Sequence, residues 1–173
     1  MPGNFTLIPF DLPGKVYRSA CPFSEFDPFG ELIRSYRTSG VEIVVVLKAN
    51  TWAGGGDLLE LYKKYGFQVI HVPIPDYGVP DADVYAAAIQ QVIAAVEAGH
   101  TIVVHCHAGL GRTGTFLAIM ARKLMGLDGP AAVTWIRKYV PGSVETDMQE
   151  AFVAEFDLGN IGTMNAERSG GEV

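Results

Sequence analysis

Residues 101–115 read Thr-Ile-Val-Val-His-Cys-His-Ala-Gly-Leu-Gly-Arg-Thr-Gly-Thr, and they predict a strand, a glycine-rich loop and the first turn of a helix. The apolar run 101–104 is typical of a buried strand, and residues 115–121 are typical of a buried helix. Backbone N–H groups converge at the amino end of such a helix, where the helix dipole favours an anion. The thiol of Cys106 is therefore expected to ionise more readily than a free cysteine and to attack a bound phosphate.

The residues after Cys106 complete a predicted anion site. The guanidinium of Arg112 is a planar fork that matches two phosphate oxygens, and at a helix amino end it opposes the dipole unless an anion lies between them. The loop N–H groups expected to bind the same oxygens belong to His107, Ala108, Gly109, Leu110, Gly111 and Arg112. Thr113 has two compatible interpretations, a hydroxyl that hydrogen-bonds the thiolate and a helix cap.

The segment 73–80 reads Pro-Ile-Pro-Asp-Tyr-Gly-Val-Pro, which excludes regular structure and predicts a loop. Its Asp76 is the candidate general acid that protonates the leaving oxygen, because loops that close over a substrate often carry such acids. Asp81 and Asp83 compete for this role. Asp81 is better explained as the amino-terminal cap of the following helix, and Asp83 as a first-turn acid.

The whole chain alternates short apolar runs with helical periodicity, which predicts an α/β domain. We expect a central, mostly parallel sheet of four to five strands, flanked by helices on both faces. The predicted strands lie near residues 16–19, 43–47, 68–72 and 101–105, and the predicted helices span residues 28–37, 57–65, 81–98, 112–125, 129–138 and 146–158. They form one domain over residues 1–158, and residues 159–173 are expected to be a flexible tail.

Composition narrows the class of partner and the compartment. The chain has 173 residues, a net charge of −6 and an isoelectric point near 5.1, which argue against nucleic acid or an anionic membrane as partner. Its only cysteines, Cys21 and Cys106, argue against a disulfide framework and for the cytoplasm. No apolar run reaches membrane-spanning length, and no signal-peptide pattern begins the sequence. A monomer is the favoured state.

The run His105–Thr115 matches the pattern HCxxGxxR[ST]G, and by it the chain resembles the cysteine-dependent protein tyrosine phosphatases, in particular the small atypical dual-specificity phosphatases. Ile74-Pro75-Asp76 is similar to the general-acid loop of that family. Residues 12–19 are similar to its opening strand, and residues 141–149 to its downstream segment. The resemblance covers about residues 12–158.

The segment 141–149 has two interpretations. The resemblance implies that Glu145 and Gln149 act near the water that attacks the phosphocysteine intermediate. From the residues alone, ordinary helix capping by Ser143 or Thr146 explains the same segment.

The resemblance implies metal-independent hydrolysis of phosphotyrosine, with phosphoserine and phosphothreonine as further substrates, in phosphorylated proteins or peptides. Cys106 is the nucleophile, Arg112 the phosphate clamp and Asp76 the acid, and the reaction needs no cofactor. Three alternatives stay open: a phosphoinositide or small-molecule phosphatase, a non-catalytic phosphate-binding module, and a sulfurtransferase. His107 and Leu110 stand where lysine or arginine is common in phosphoinositide-directed relatives, which favours protein substrates.

Two features have no role in this scheme. Residues 48–56 match no pattern. Lys48 and Asn50 follow a central strand at an edge where α/β sites form, but a solvated loop is the favoured interpretation. Cys21 is interpreted as a buried spectator thiol and not as a redox partner of Cys106.

Overall fold

The computed structural model describes residues 3–162. Its main strands are β1 (Phe5–Ile8), β2 (Lys15–Ser19), β3 (Ile43–Val46), β6 (Gln68–His71) and β7 (Thr101–His105), and the hairpin strands are β4 (Trp52–Ala53) and β5 (Gly56–Asp57). Within the described residues the main sheet has five strands in the order β1-β2-β7-β3-β6. β1 pairs with β2 in the antiparallel sense, and every other pair in this sheet is parallel.

The helices lie between and after these strands. They are α1 (Glu31–Thr38), α2 (Leu58–Lys64), α3 (Ala82–Glu97), α4 (Gly111–Met125), α5 (Gly129–Tyr139) and α6 (Asp147–Glu155), followed by a 3-10 turn at Leu158–Asn160. None of the helices described within residues 3–162 is both long and apolar enough to cross a membrane.

The sheet separates two buried apolar clusters. Alternate residues of a strand point to opposite faces, so Val45 and Val104 pack with α3 to α6, whereas Val44 and Val103 pack with α1 and α2. All four side chains of β3 are buried, as in a strand covered on both sides. The predicted α/β class, with a mostly parallel sheet and helices on both faces, is confirmed.

Asp57 and Asp81 cap α2 and α3, as predicted. Asp57 Oδ1 accepts a hydrogen bond from the N–H of Leu59 at 3.0 Å. Asp81 Oδ1 accepts from the N–H groups of Asp83 and Val84, both at 3.1 Å. The Asp81 carboxylate is therefore occupied at the amino end of α3.

The sequence patterns do not predict β1 or the β4–β5 hairpin. β1 is an edge strand, and Leu7 in it is 47% exposed, so it has no alternating apolar pattern. The hairpin strands are two residues long each and lie within the segment 48–57, where Gly54 and Gly55 form the turn with positive φ. Pairing, and not local pattern, decides both elements.

The tail predicted from residue 159 is packed at its beginning. Ile161 is 2% exposed, and its carbonyl accepts a hydrogen bond from Lys123 Nζ at 2.9 Å. The prediction is therefore wrong for residues 159–161, because one buried isoleucine anchors a segment whose composition is otherwise that of a tail. The part of the predicted tail from 163 to 173 lies outside the described residues.

Candidate active site

Cys106 directly follows β7 and lines a pocket of about 270 Å³. The residue is only 2% exposed. β7 lies between β2 and β3, and the loop from Cys106 to Leu110 connects it to α4. The predicted strand, loop and helix are therefore confirmed, and the thiol lies at the carboxyl end of a parallel strand, where α/β sites form.

The loop leaves its N–H groups available to an anion. Within residues 3–162, the N–H groups of residues 107–112 donate no hydrogen bond. Gly109 allows the tight curvature, because it has a φ of 75° and an added Cβ would lie 2.1 Å from Ser19 O. The loop is tied to the chain after β2 by the N–H of Cys21, which donates to His107 O at 2.7 Å. A curved row of unpaired N–H groups is a typical anion site.

Arg112 and Asp76 meet in this pocket although 36 residues separate them. Arg112 Nη2 donates to Asp76 Oδ1 at 2.7 Å, and Nη1 donates to Ile74 O at 2.9 Å. The arginine side chain is 6% exposed and the Asp76 side chain 59% exposed. The predicted clamp and the predicted acid thus contact each other, with the acid on the solvent side.

The structure does not contain either contact predicted for Thr113. The residue is fully buried, and its Oγ1 has no hydrogen-bond partner in the described part of the chain. It is not the helix cap, because α4 begins at Gly111 and Leu110 holds the cap position. The cap interpretation of Thr113 is therefore corrected, and its hydrogen bond to the thiolate stays a prediction.

Glu145 and Gln149 line the same pocket as Cys106. Gln149 is 1% exposed, its Oε1 accepts from the N–H of Glu145 at 2.9 Å, and its Nε2 donates to Gly78 O in the acid loop at 3.4 Å. Thr146 Oγ1 caps α6 by accepting from the N–H of Gln149 at 3.1 Å. Capping and pocket lining therefore coexist in this segment.

The entrance contains residues that sequence reasoning missed. Glu25, Phe26 and Tyr77 line the pocket, and Phe26 and Tyr77 are 41% and 62% exposed. His107 Nε2 lies 2.9 Å from Glu25 Oε1, and this hydrogen bond lowers the pKa of Glu25 from its ordinary value. The Phe26 ring meets the His107 ring edge-on at 5.7 Å. No local signal marks Glu25 and Phe26, because they lie in an irregular segment about 80 residues before the loop.

His105 orients the loop from the opposite face of the sheet. One ring nitrogen, Nδ1, lies 2.8 Å from Cys106 O, and Nε2 lies 2.8 Å from the hydroxyl of Tyr62. Burial lowers the pKa of His105 to about 4, so the ring is neutral, with Nδ1–H donating to the carbonyl and Nε2 accepting from Tyr62. A second buried bond, at 2.6 Å, joins Tyr36 and Ser19 beside it.

Lys48 is neither solvated nor part of the pocket lining. Its residue is 8% exposed, and Nζ donates to Cys21 Sγ at 3.5 Å. The solvated-loop interpretation is therefore wrong for Lys48, because the chain turns inward after β3 and carries the ammonium to a buried thiol.

Cys21 is buried as predicted, and burial raises its pKa while Lys48 opposes that rise. Cys21 packs in the cluster with α1 and α2, whereas Cys106 packs in the cluster with α3 to α6.

Residues 24–123 match the family described as polymorphic toxin system, DSP-PTPase phosphatase, and this range is more than half of the chain. The chain belongs to this family. The chain is 40% identical over 88 residues to an uncharacterized protein of Methanocaldococcus jannaschii, a match that covers 50% of this chain and 58% of that protein. It is 38% identical over 86 residues to the human receptor-type tyrosine-protein phosphatase epsilon, covering 46% of this chain and 12% of the receptor. The match thus spans less than two thirds of either relative.

Solved structures show the same fold. The active form of Tk-PTP superposes with a TM-score of 0.72 at 29% identity and covers 87% of this chain and 95% of its own. Kinase associated phosphatase superposes with a TM-score of 0.79 at 19% identity, with 90% and 94% covered. The chain therefore shares the fold of small protein tyrosine and dual-specificity phosphatases.

Proposed function

We propose that this phosphatase hydrolyses phosphotyrosine in proteins, and phosphoserine or phosphothreonine as further substrates, through a phosphocysteine intermediate. One observation carries the proposal: Cys106, loop residues whose N–H groups are unpaired, and the Arg112–Asp76 pair all line one pocket. The proposed reaction is metal-independent, because the Cys106 thiolate supplies the nucleophile and Arg112 with the loop N–H groups binds the phosphate.

The first step transfers the phosphoryl group to Cys106. The thiolate attacks phosphorus, the S–P bond forms, and the ester P–O bond breaks. The phosphate oxygens bind the loop N–H groups and the Arg112 guanidinium, and so take over Nη2 from Asp76. Asp76, released on the exposed side of the pocket, takes up a proton from solvent and donates it to the leaving oxygen.

The second step returns the enzyme to its starting form. A water attacks phosphorus, its proton passes to the Asp76 carboxylate, and the S–P bond breaks to give inorganic phosphate and the thiolate. The Gln149 amide lies in the pocket and reaches the acid loop at Gly78, so it is placed to orient this water together with Glu145.

The rim of the pocket supports phosphoproteins as substrates. Phe26 and Tyr77 present aromatic surface that suits a phenyl ring. Glu25, Asp76 and Glu145 make the rim acidic, and no lysine lines the pocket within the described residues. Such a rim repels polyphosphorylated inositol head groups more than a peptide.

The pocket is complete within one chain, which supports a monomeric enzyme. Both cysteines of the chain are free, and a thiolate nucleophile needs reducing surroundings, which supports the cytoplasm as its location.

The decisive experiment compares wild type with Cys106→Ser on three substrate classes: phosphotyrosine peptides, phosphoserine or phosphothreonine peptides, and vesicles that contain phosphorylated phosphatidylinositol. We expect turnover of phosphotyrosine peptides by wild type alone, and stable capture of the same peptides by Cys106→Ser. Faster turnover of the inositol lipid would favour the phosphoinositide alternative. Binding of phosphate without any turnover by folded wild type would favour a non-catalytic module.

A further inference from the structure

Arg18 is a buried arginine that the proposed mechanism does not use. It lies in β2 and is 2% exposed, which places it among the largest fully buried side chains. It lies outside residues 24–123, the part of the chain that matches the phosphatase family. Charged side chains are almost never fully buried unless they are paired, so this position needs an explanation.

The guanidinium of Arg18 has no conventional partner. Its Nε and Nη1 atoms make no hydrogen bond within residues 3–162, and no carboxylate of the same residues forms a salt bridge with it. Other arginines differ: Arg122 Nη1 donates to Val153 O at 2.7 Å and to Phe156 O at 2.9 Å. A buried cation without a counter-charge is strongly disfavoured, which indicates an anion nearby.

The sheet register places Arg18 on the same face of the sheet as Cys106. Arg18 pairs with Val104 in β7, and Cys106 follows two residues later on the same face. Val16, two residues before Arg18, packs in the same cluster as Val104 and Cys106. Arg18 therefore shares the α3–α6 face with the nucleophile.

Among the charged side chains around Cys106, Arg18 and Glu145 form no salt bridge within residues 3–162, and Arg18 is the buried one of the two. The titratable and charged groups around Cys106 are Arg18 from β2, Cys21 after β2, Tyr85 from α3, His105 from β7, Arg112 from α4, Asp76 from the acid loop, His107 from the phosphate loop, Glu25 from the entrance and Glu145 before α6. Arg112 is paired with Asp76, and His107 with Glu25. Burial lowers the pKa of Arg18, and the negative charge of Cys106 opposes this shift.

We propose that Arg18 is a positioning residue whose guanidinium holds Cys106 in its thiolate form from the core side of the loop. The proposal rests on the proposed function, in which Cys106 is the nucleophile. The two arginines then have different roles. Arg112 binds the phosphate and pairs with Asp76, whereas Arg18 compensates the negative charge on the sulfur of Cys106. The thiolate in turn is the counter-charge of Arg18.

The experiment measures the ionisation of Cys106 directly. Cys21→Ser leaves Cys106 as the single cysteine, so the rate of alkylation by iodoacetamide against pH reports this thiol alone. In that background, Arg18→Met keeps the bulk and removes the charge. We expect the midpoint of the alkylation profile to rise by about one pH unit or more, which lowers the rate on the acidic side about tenfold. The acidic limb of kcat/KM for an aryl phosphate is expected to move by the same amount.

Three controls separate this role from a structural one. Arg122→Met removes another partly buried arginine from α4 and is expected to leave the midpoint unchanged. Arg18→Lys keeps the positive charge. Its midpoint is therefore expected to return at least halfway from the Arg18→Met value to the wild-type value. If Arg18→Met does not fold, Arg18→Gln is the second variant that removes the charge, and its amide keeps polar atoms at this position. Circular dichroism and thermal unfolding check that each variant folds.

A folded Arg18→Met or Arg18→Gln protein with the wild-type midpoint would overturn the proposal. The alkylation readout does not depend on turnover. A shifted midpoint in a protein that cleaves no phosphate ester would therefore support the role of Arg18 and contradict the proposed function alone.

Discussion

Asp76 Oδ1 lies 2.7 Å from Arg112 Nη2, so the acid and the phosphate clamp of the proposed mechanism are paired with each other. Arg112 Nη1 also donates to Ile74 O, so the arginine holds the acid loop against the phosphate loop through two contacts. In the proposed mechanism, substrate replaces the carboxylate at Arg112, and this exchange frees Asp76 to act at the leaving oxygen. In that mechanism, binding and acid catalysis are therefore coupled through one guanidinium.

Asp76→Asn tests this coupling. The amide cannot protonate the leaving oxygen, so kcat is expected to fall about 10²- to 10⁴-fold and the basic limb of the pH profile to disappear. Because the carboxylate no longer competes for Arg112, inorganic phosphate is expected to bind several-fold more tightly, measured as a competitive inhibition constant. Asp83→Asn, an acid in the first turn of α3, is the control and is expected to change neither quantity.

Gly109→Ala tests the curvature of the phosphate loop. Gly109 and Gly40 both have positive φ, 75° and 71°, but only Gly109 lacks room for a Cβ, which would lie 2.1 Å from Ser19 O. We expect Gly109→Ala to lower kcat/KM by about 100-fold, because the loop must shift away from β2. Gly40→Ala, with nothing within 4 Å of the added atom, is expected to keep full activity and lose roughly 1–2 kcal/mol of stability. Equal losses of activity in the two variants would contradict the argument.

Gln149→Ala tests the second chemical step. Loss of the amide is expected to slow attack of water on the phosphocysteine by about tenfold to a hundredfold, so that the intermediate accumulates. Rapid mixing with an aryl phosphate should then show a burst of the phenol equal to the enzyme concentration, followed by slow turnover. Gln68→Ala, an exposed glutamine of β6, is the control. A slow single phase in Gln149→Ala would assign the residue to the first step instead.

The buried His105 predicts how stability depends on pH. Its folded pKa of about 4 lies below the ordinary value of 6.5, so the unfolded state binds more protons between these values. The free energy of unfolding is therefore highest above pH 6.5 and falls by about 3 kcal/mol as the pH drops towards 4. His105→Asn should flatten this part of the curve measured by urea unfolding. Ser19→Ala, in the neighbouring hydrogen bond to Tyr36, should lower stability at every pH with no change of slope.

Glu25 is expected to select against polyanionic substrates. Glu25→Lys reverses the charge beside His107, so kcat/KM for soluble inositol polyphosphates is expected to rise about tenfold relative to that for a phosphotyrosine peptide. The ratio of the two values at low and high salt measures the effect, because screening reduces it. Glu60→Lys on the distant α2 carries the same charge change and should leave the ratio unchanged. A ratio that moves equally in both variants would show a general effect of net charge.

The local sequence determined the chemistry and the elements that carry it. The strand, loop and helix at Cys106 follow from a β-branched run, a loop with Gly109 and Gly111, and an apolar run of helical period. Backbone preferences and the period of apolar residues act over a few positions, so these elements can be predicted locally. The same local reasoning identified the caps Asp57 and Asp81 and the loop character of residues 73–80.

Tertiary structure alone decided which distant residues meet. The Arg112–Asp76 pair, the Glu25–His107 entrance and the burial of Lys48 against Cys21 depend on how strands pair and how loops pack above them. The burial of Arg18 without a hydrogen-bond partner for its Nε and Nη1 atoms within residues 3–162 is of the same kind. The pattern along β2 gives the face of the sheet to which a residue points, whereas the register of β2 on β7 places Arg18 beside Val104, two residues before the proposed nucleophile.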